Sequence, residues 1–269
     1  MSNFSIVVIV KDAQLKIRRL LESVEGLTDD VIICDTGSCD KTTEIAKEYG
    51  VQVFSIPWEG YGKSKNKAIE FAKYEWILSL DSDEKIDSAL RFQLMNWQEG
   101  DPATVYRLKW KNFFGSQWIR HSDWGCNWKG RLFNKRFVRW DNAVAHEDLV
   151  ANISLKYVRV GGYLEHYSFK DEDEYACKMA HSATITALKY YELQKQSTYL
   201  HVFIAPLYSF IKTYVCKMGF LDRGKGWLIA KTTAHYTFKK YAILKDMNQQ
   251  KNARTVSYTI ARNSQHSHS

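Results

Sequence analysis

Hydrophobic and polar positions change rhythm several times along the chain. Residues 4–10, FSIVVIV, form an unbroken, mostly β-branched run, the pattern of a strand buried on both faces. Residues 13–25 switch to helical spacing, with Leu15, Leu20, Leu21 and Val24 set among Lys16, Arg18, Arg19 and Glu22. A second strand reads at 30–35 (DVIICD), and a helix at 40–49 opens on Asp40 as its N-cap. A third strand follows at 51–56, a helix at about 64–73, and a fourth strand at 75–80. Four strands alternating with three helices predict an α/β fold built on a parallel sheet, in which ligands sit at the carboxyl ends of the strands. Asp35 and Asp81 close the second and fourth strands, so both are expected in one crevice.

The alternation loosens after about residue 100 into short segments rich in Trp and Arg, which read as antiparallel strands and loops. From about 171 the spacing is helical, over 172–195, 199–218 and 225–245, the last two separated by GFLDRGKG. The expected organisation is a catalytic domain over 1–170, a helical region over 171–250 and a loosely ordered tail over 251–269.

Composition changes this picture in three places. Of 269 residues, 14% are aromatic against an otherwise average 45% hydrophobic and 25% charged, and aromatic faces suit sugar rings, bases or interfaces as well as cores. The net charge of +8 is concentrated: residues 199–245 hold eight Lys or Arg and one acid, Asp222. Such a basic, aromatic region points to an anionic surface, and no nucleic-acid motif accompanies it, so membrane headgroups are the expected partner and nucleic acid is not. The five cysteines show no C-x-x-C spacing, which argues against a disulfide framework or structural zinc and for a reducing, cytoplasmic setting. MSNFSIVVIVKDA lacks a basic leader and reads as a first strand. YLHVFIAPLYSFIKTYVCKMGF (199–220) is interrupted by His201, Pro206, Lys212 and Lys217, and a central Lys costs on the order of 3 kcal/mol inside a bilayer. It reads either as a helix lying in a membrane interface or as a core helix.

EGYGKSK (59–65) resembles a phosphate-binding loop but has Pro57 where that loop needs a glycine, and VIVKDAQ leaves no G-x-G-x-x-G after the first strand. Nucleotide triphosphatase and dinucleotide chemistry are therefore not expected; Lys63 or Lys65 would reach a phosphate by charge alone. WILSLDSDE places Asp81, Asp83 and Glu84 together at a strand end, where their repulsion calls for a cation from outside, Mg2+ or Mn2+. The alternative is a solvated acidic turn.

VIVKDA, CDTGSCDKT, GKSKNKAIEFAKYEWILSLDSDE, RLFNK and AHEDL, in this order and spacing, resemble family 2 glycosyltransferases of the GT-A fold, most closely the bacterial lipopolysaccharide core β-glucosyltransferases that act on inner-core heptose. The resemblance covers residues 4–170 and extends more loosely into the helices. It implies a Rossmann-like, mostly parallel nucleotide-sugar domain followed by helices, and inverting transfer of a hexose, glucose from UDP-glucose, to a lipid-linked glycan at the inner face of the bacterial inner membrane. Implied donor-site residues are Val10, Asp12, Asp35, Lys63, Asn66, Asp81 and Asp83. The family's Asn-Glu after the first strand is Asp12-Ala13 here, which leaves Asp12 as the substitute for that Glu. Asp35 would hold uracil or ribose, or else cap its own turn. Asp83 would be the main ligand of a divalent metal, with Asp81 on ribose or a metal-bound water; His166 would complete the metal shell or serve as a buried structural His. Glu147 would be the catalytic base, with Asp148 as second choice, and His121 and Trp124 would line the acceptor site, unless Trp124 is simply core.

Overall fold

The structure, a computed structural model, describes residues 3–125, 127–142 and 147–266. Cys126 and, within the AHED motif, Ala145 and His146 lie outside the described residues. The chain divides into two compact units: residues 1–113 with 126–168, and residues 114–125 with 169–269.

The first unit begins as expected. Strand β1 (Phe4–Val10), helix α1 (Ile17–Val24), β2 (Val31–Asp35), α2 (Thr42–Glu48), β3 (Gln52–Ser55), α3 (Tyr61–Ile69) and β4 (Trp76–Asp81) alternate, and β3, β2, β1 and β4 lie side by side in parallel. The strand pattern explains the burial. Phe4, Ile6, Val8 and Val10 of β1 enter one apolar cluster with α1, while Val7 enters the cluster on the other face. Leu15, expected on the first helix, precedes it and is 78% exposed, because α1 starts only at Ile17.

The sheet then turns mixed. After β5 (Glu84–Ile86) and α4 (Ser88–Met95), capped by Asp87, come β6 (Thr104–Phe114), β7 (Gln117–Trp118), β8 (Trp128–Asn134), β9 (Val138–Trp140), β10 (Leu149–Ala151), β11 (Lys156–Arg159) and β12 (Leu164–Phe169). Strand β8 runs antiparallel between β4 and β6, and β5 runs antiparallel to β12, with His166 opposite Glu84. The pair β9–β10 forms a separate antiparallel ribbon.

The second unit joins the segment 114–125 to the helices α5 (Glu172–Glu192), α6 (Tyr199–Ile211) and α7 (Arg223–His266). A π-helical turn (Lys212–Cys216) and a 3-10 turn (Gly219–Asp222) connect the last two helices. Asp171 caps α5, and Glu172, Asp173 and Glu174 oppose its dipole. Phe114, Ile119, Tyr175 and Ile229 form the unit's buried cluster. The turn before α7 is tight: a Cβ on Gly226 would stand 1.7 Å from the Gly219 carbonyl oxygen, so only glycine fits. Helix α7 takes in most of the stretch expected as a tail. Among the described residues no helix is long and apolar enough to cross a membrane.

Candidate active site

The parallel register brings the two strand-end aspartates together. Val10 pairs with Asp35 and Ile9 with Asp81, so Asp35 and Asp81 flank the carboxyl end of β1. Val10 keeps its side chain in the core and offers its carbonyl to the Thr36 backbone N–H and hydroxyl, at 2.9 and 3.0 Å.

Two loops at this edge are laced to each other. Asp12, at φ +47°, accepts from the Cys39 N–H at 2.8 Å, and its own N–H donates to Ser38 Oγ at 2.9 Å. The Ala13 and Gln14 N–H groups donate to Thr42 Oγ1 and Asp40 Oδ2. Asp35 accepts from the N–H groups of Gly37 and Ser38 and from the Ser38 hydroxyl, the self-capped turn that was its alternative reading.

The acidic cluster is answered largely from within the chain, contrary to the expectation of an external cation for all three carboxylates. Arg131 of β8, almost fully buried, donates to Asp81 Oδ2 at 2.5 Å and Glu84 Oε1 at 2.6 Å. Lys65 of α3, its side chain 3% exposed, stands 2.9 Å from Asp81 Oδ1 and 2.6 Å from Glu147 Oε1. Burial acts to raise the Asp81 carboxyl, but the charges of Arg131 and Lys65 outweigh it and hold the group below the usual carboxylate range. Burial pushes Glu84 up, although that side chain accepts from the Asp81 N–H, Trp110 Nε1–H and Arg131. The result is a string of alternating charges, Glu84–Arg131–Asp81–Lys65–Glu147.

Asp83 stands outside this string. Its Oδ2 is 3.6 Å from Lys16 Nζ and its Oδ1 3.5 Å from His166 Nε2. His166 stacks on Trp110 with ring centroids 4.2 Å apart, and its Nδ1 meets Asn112 Oδ1 at 2.8 Å. With Nδ1–H donating to Asn112, Nε2 faces Asp83. Burial lowers the affinity of His166 for a proton, and its hydrogen bond to Asp83 with that carboxylate's charge outweighs burial and raises it. Once Nε2 gives up the proton it shares with Asp83, Asp83 and His166 are an oxygen–nitrogen donor pair that fits a divalent ion completing its shell with phosphate oxygens. Asp81 has both oxygens committed, and among the described residues no group of three or more acidic, His or Cys side chains is arranged around a metal position.

Other expected residues fall differently. Lys63 is exposed; two positions along a helix is about 200°, so α3 turns Lys63 out where it turns Lys65 in. Asn66 spends its amide on the ribbon, Nδ2 donating to the Trp140 carbonyl at 2.8 Å and Oδ1 accepting its N–H at 3.0 Å. Trp140 in turn lies 4.6 Å from Lys65 Nζ, ring centroid to cation. Asp148 is exposed, its carbonyl bonded to the Asp141 N–H. His121 and Trp124 belong to the second unit: His121 is held by Asp222 through its backbone N–H (2.8 Å) and Nδ1 (3.2 Å), and Trp124 packs against Phe114, Phe169 and Tyr175. Arg131, Trp110, Asn112 and Lys16 were not anticipated. Arg131 lies inside the RLFNK motif, but only pairing with β4 puts it beside Asp81.

The chain is 25% identical over 258 residues to an uncharacterized glycosyltransferase of Rickettsia prowazekii, covering 92% of this chain and 88% of that protein. It is 24% identical to the lipopolysaccharide core biosynthesis glycosyltransferase LpsC of Rhizobium meliloti, covering 84% and 88%. Among solved structures, S. aureus TarS 1–349 matches at 14% identity over 93% of this chain and 92% of that chain, with a TM-score of 0.42. Glucosyl-3-phosphoglycerate synthase of Mycobacterium tuberculosis, in complex with Mn2+, UDP-glucose and phosphoglyceric acid, matches at 19% identity over 43% and 44%, with a TM-score of 0.33. The model of glycosyl transferase family 2 matches residues 5–154, more than half of the chain, and the chain therefore belongs to that family of enzymes, which transfer a sugar from a nucleotide-sugar donor.

Proposed function

We propose that the protein transfers a hexose, glucose from UDP-glucose, with inversion to an inner-core heptose of lipopolysaccharide. One observation carries the mechanism: Lys65 joins Glu147 to Asp81 at the carboxyl edge of the sheet, at 2.6 and 2.9 Å. An inverting displacement needs a single carboxylate to take the proton of the acceptor hydroxyl as that oxygen attacks the anomeric carbon. We assign this role to Glu147, whose contact with Lys65 at the sheet edge supports the reading. Lys65 fixes its direction, holding Oε1 at 2.6 Å. The laced loops around Asp12 and Asp35 form the cradle for the nucleoside. Asp83 and His166 would hold a divalent ion, which would offset the charge of the departing diphosphate. The likeness to LpsC, a lipopolysaccharide core biosynthesis glycosyltransferase, supports the lipopolysaccharide core as acceptor, and the motif resemblance supports heptose within it.

The test is release of UDP and sugar transfer to heptose-bearing core oligosaccharide across a panel of nucleotide sugars, with and without Mn2+. UDP-glucose should be the productive donor, transfer should need the ion, Asp83→Ala should abolish it, and Glu147→Gln should slow it about 10^2- to 10^4-fold. Full activity of Glu147→Gln would remove Glu147 as base, and a donor other than UDP-glucose would replace the proposed substrate. Thermal stabilisation by UDP with Mn2+ should persist in Glu147→Gln, since only the chemical step is lost.

A further inference from the structure

Helix α6 is built inside out. Leu200, Phe203, Ile204, Leu207, Tyr208 and Ile211 recur every three or four residues and are all exposed, so they form one stripe. The opposite side carries Val202, Ser209, bonded to Thr237, and Thr213 of the following turn. Small side chains thus face the unit's interior, and the large apolar groups face out. The stripe continues onto exposed Phe220 and Trp227, joined by ring contacts of Phe210 and Tyr214 with Trp227 at 5.1 and 5.4 Å. A contiguous apolar surface of this kind marks a contact site.

The charges in the same stretch select the partner. Of the eight basic residues and one acid over 199–245, the acid, Asp222, is buried and accepts from the Arg120 and His121 N–H groups. Lys212, Arg223 and Lys231 are exposed. This segment therefore shows no acidic side chain to solvent. A second copy of the chain suits it poorly, since a two-fold contact would set the same cations against each other. We propose that this face of the second unit docks on an anionic phospholipid surface, with the α6 stripe, Phe220 and Trp227 at the headgroup–acyl boundary and Lys212, Arg223 and Lys231 toward the phosphates.

The test is co-sedimentation of the full chain with vesicles of phosphatidylglycerol and phosphatidylcholine in equal parts, against phosphatidylcholine alone. Binding to the anionic vesicles is expected to be about tenfold or more tighter and to weaken as salt rises. Phe203→Ser with Leu207→Ser, and separately Lys212→Glu with Lys231→Glu, should each lose about tenfold in vesicle affinity while UDP still stabilises the protein. Both pairs are exposed, and the charge pair tests the surface without touching apolar packing. Absence of sedimentation with anionic vesicles overturns the proposal, as does parental affinity in both double variants. A monomer–dimer equilibrium abolished by Phe203→Ser with Leu207→Ser, without vesicle binding, would assign the face to a second copy instead.

Discussion

Lys65 Nζ lies 2.6 Å from Glu147 Oε1, across 82 residues of sequence, and the lysine side chain is almost wholly buried. The pair makes two variants separable. Glu147→Gln keeps a hydrogen-bond acceptor for Lys65 and removes only the ability to take a proton, so kcat should fall about 10^2- to 10^4-fold with little change in stability. Lys65→Met leaves Glu147 and Asp81 without their shared cation and should lower both activity and the melting temperature. Steady-state kinetics beside thermal unfolding of the two variants checks this; equal loss of stability in both would mean that Glu147 serves structure instead of chemistry.

Arg131 is the second internal cation, and it carries two carboxylates at once. Arg131→Met should destabilise the protein by about 3–5 kcal/mol, because Asp81 and Glu84 lose the buried cation that both accept from, leaving Asp81 with Lys65 alone. Arg131→Lys should be intermediate, since one ammonium replaces a fork that spans both. Adding Glu84→Gln to Arg131→Met should recover part of the loss. Urea unfolding of the three variants measures the ladder, and equal stability of Arg131→Met and the parent would dismiss the buried network as a stabilising element.

The strands that carry Asp35 and Asp81 were legible because β1 is buried on both faces and parallel pairing puts strand ends at one edge. Arg131 was not legible: it reaches Asp81 through an antiparallel strand more than 40 residues later, and nothing local in WKGRLFN fixes that register. The choice between Lys63 and Lys65 turned on where α3 begins, since a start at Tyr61 instead of about 64 decides which lysine packs against Trp140. The grouping of 114–125 with the helices was hidden for a similar reason. It rests on Asp222 gripping the Arg120 and His121 N–H groups, about a hundred residues away in sequence.

Asn66 tests whether a residue matched to a donor-site motif acts through the scaffold. Both ends of its amide bond to the Trp140 backbone. Asn66→Ala should cost about 1–3 kcal/mol in urea unfolding, the penalty for two backbone groups losing their partner. Because Trp140 backs Lys65, kcat should drop while the Kd for UDP, read by calorimetry, stays near the parental value. A large rise in that Kd with unchanged stability would return Asn66 to the donor site.

Asp123 supplies an acid-sensitive bond in the second unit. Its carboxylate takes the Thr213 hydroxyl at 2.7 Å and pairs with Lys217. Burial opposes ionisation, yet Lys217 and Thr213 prevail and hold the carboxyl below its ordinary 3.8. A carboxyl depressed in the folded state stabilises above its unfolded value, and that contribution fades as pH falls through the folded value. Asp123→Asn should therefore be less stable than the parent at pH 6, by no more than about 1 kcal/mol since the pair is partly exposed and screened. The gap should close as pH drops below about 4. Urea midpoints of parent and variant across this range measure the difference, and a gap that does not change with pH would mean that the Thr213 and Lys217 contacts do not favour the ionised carboxylate.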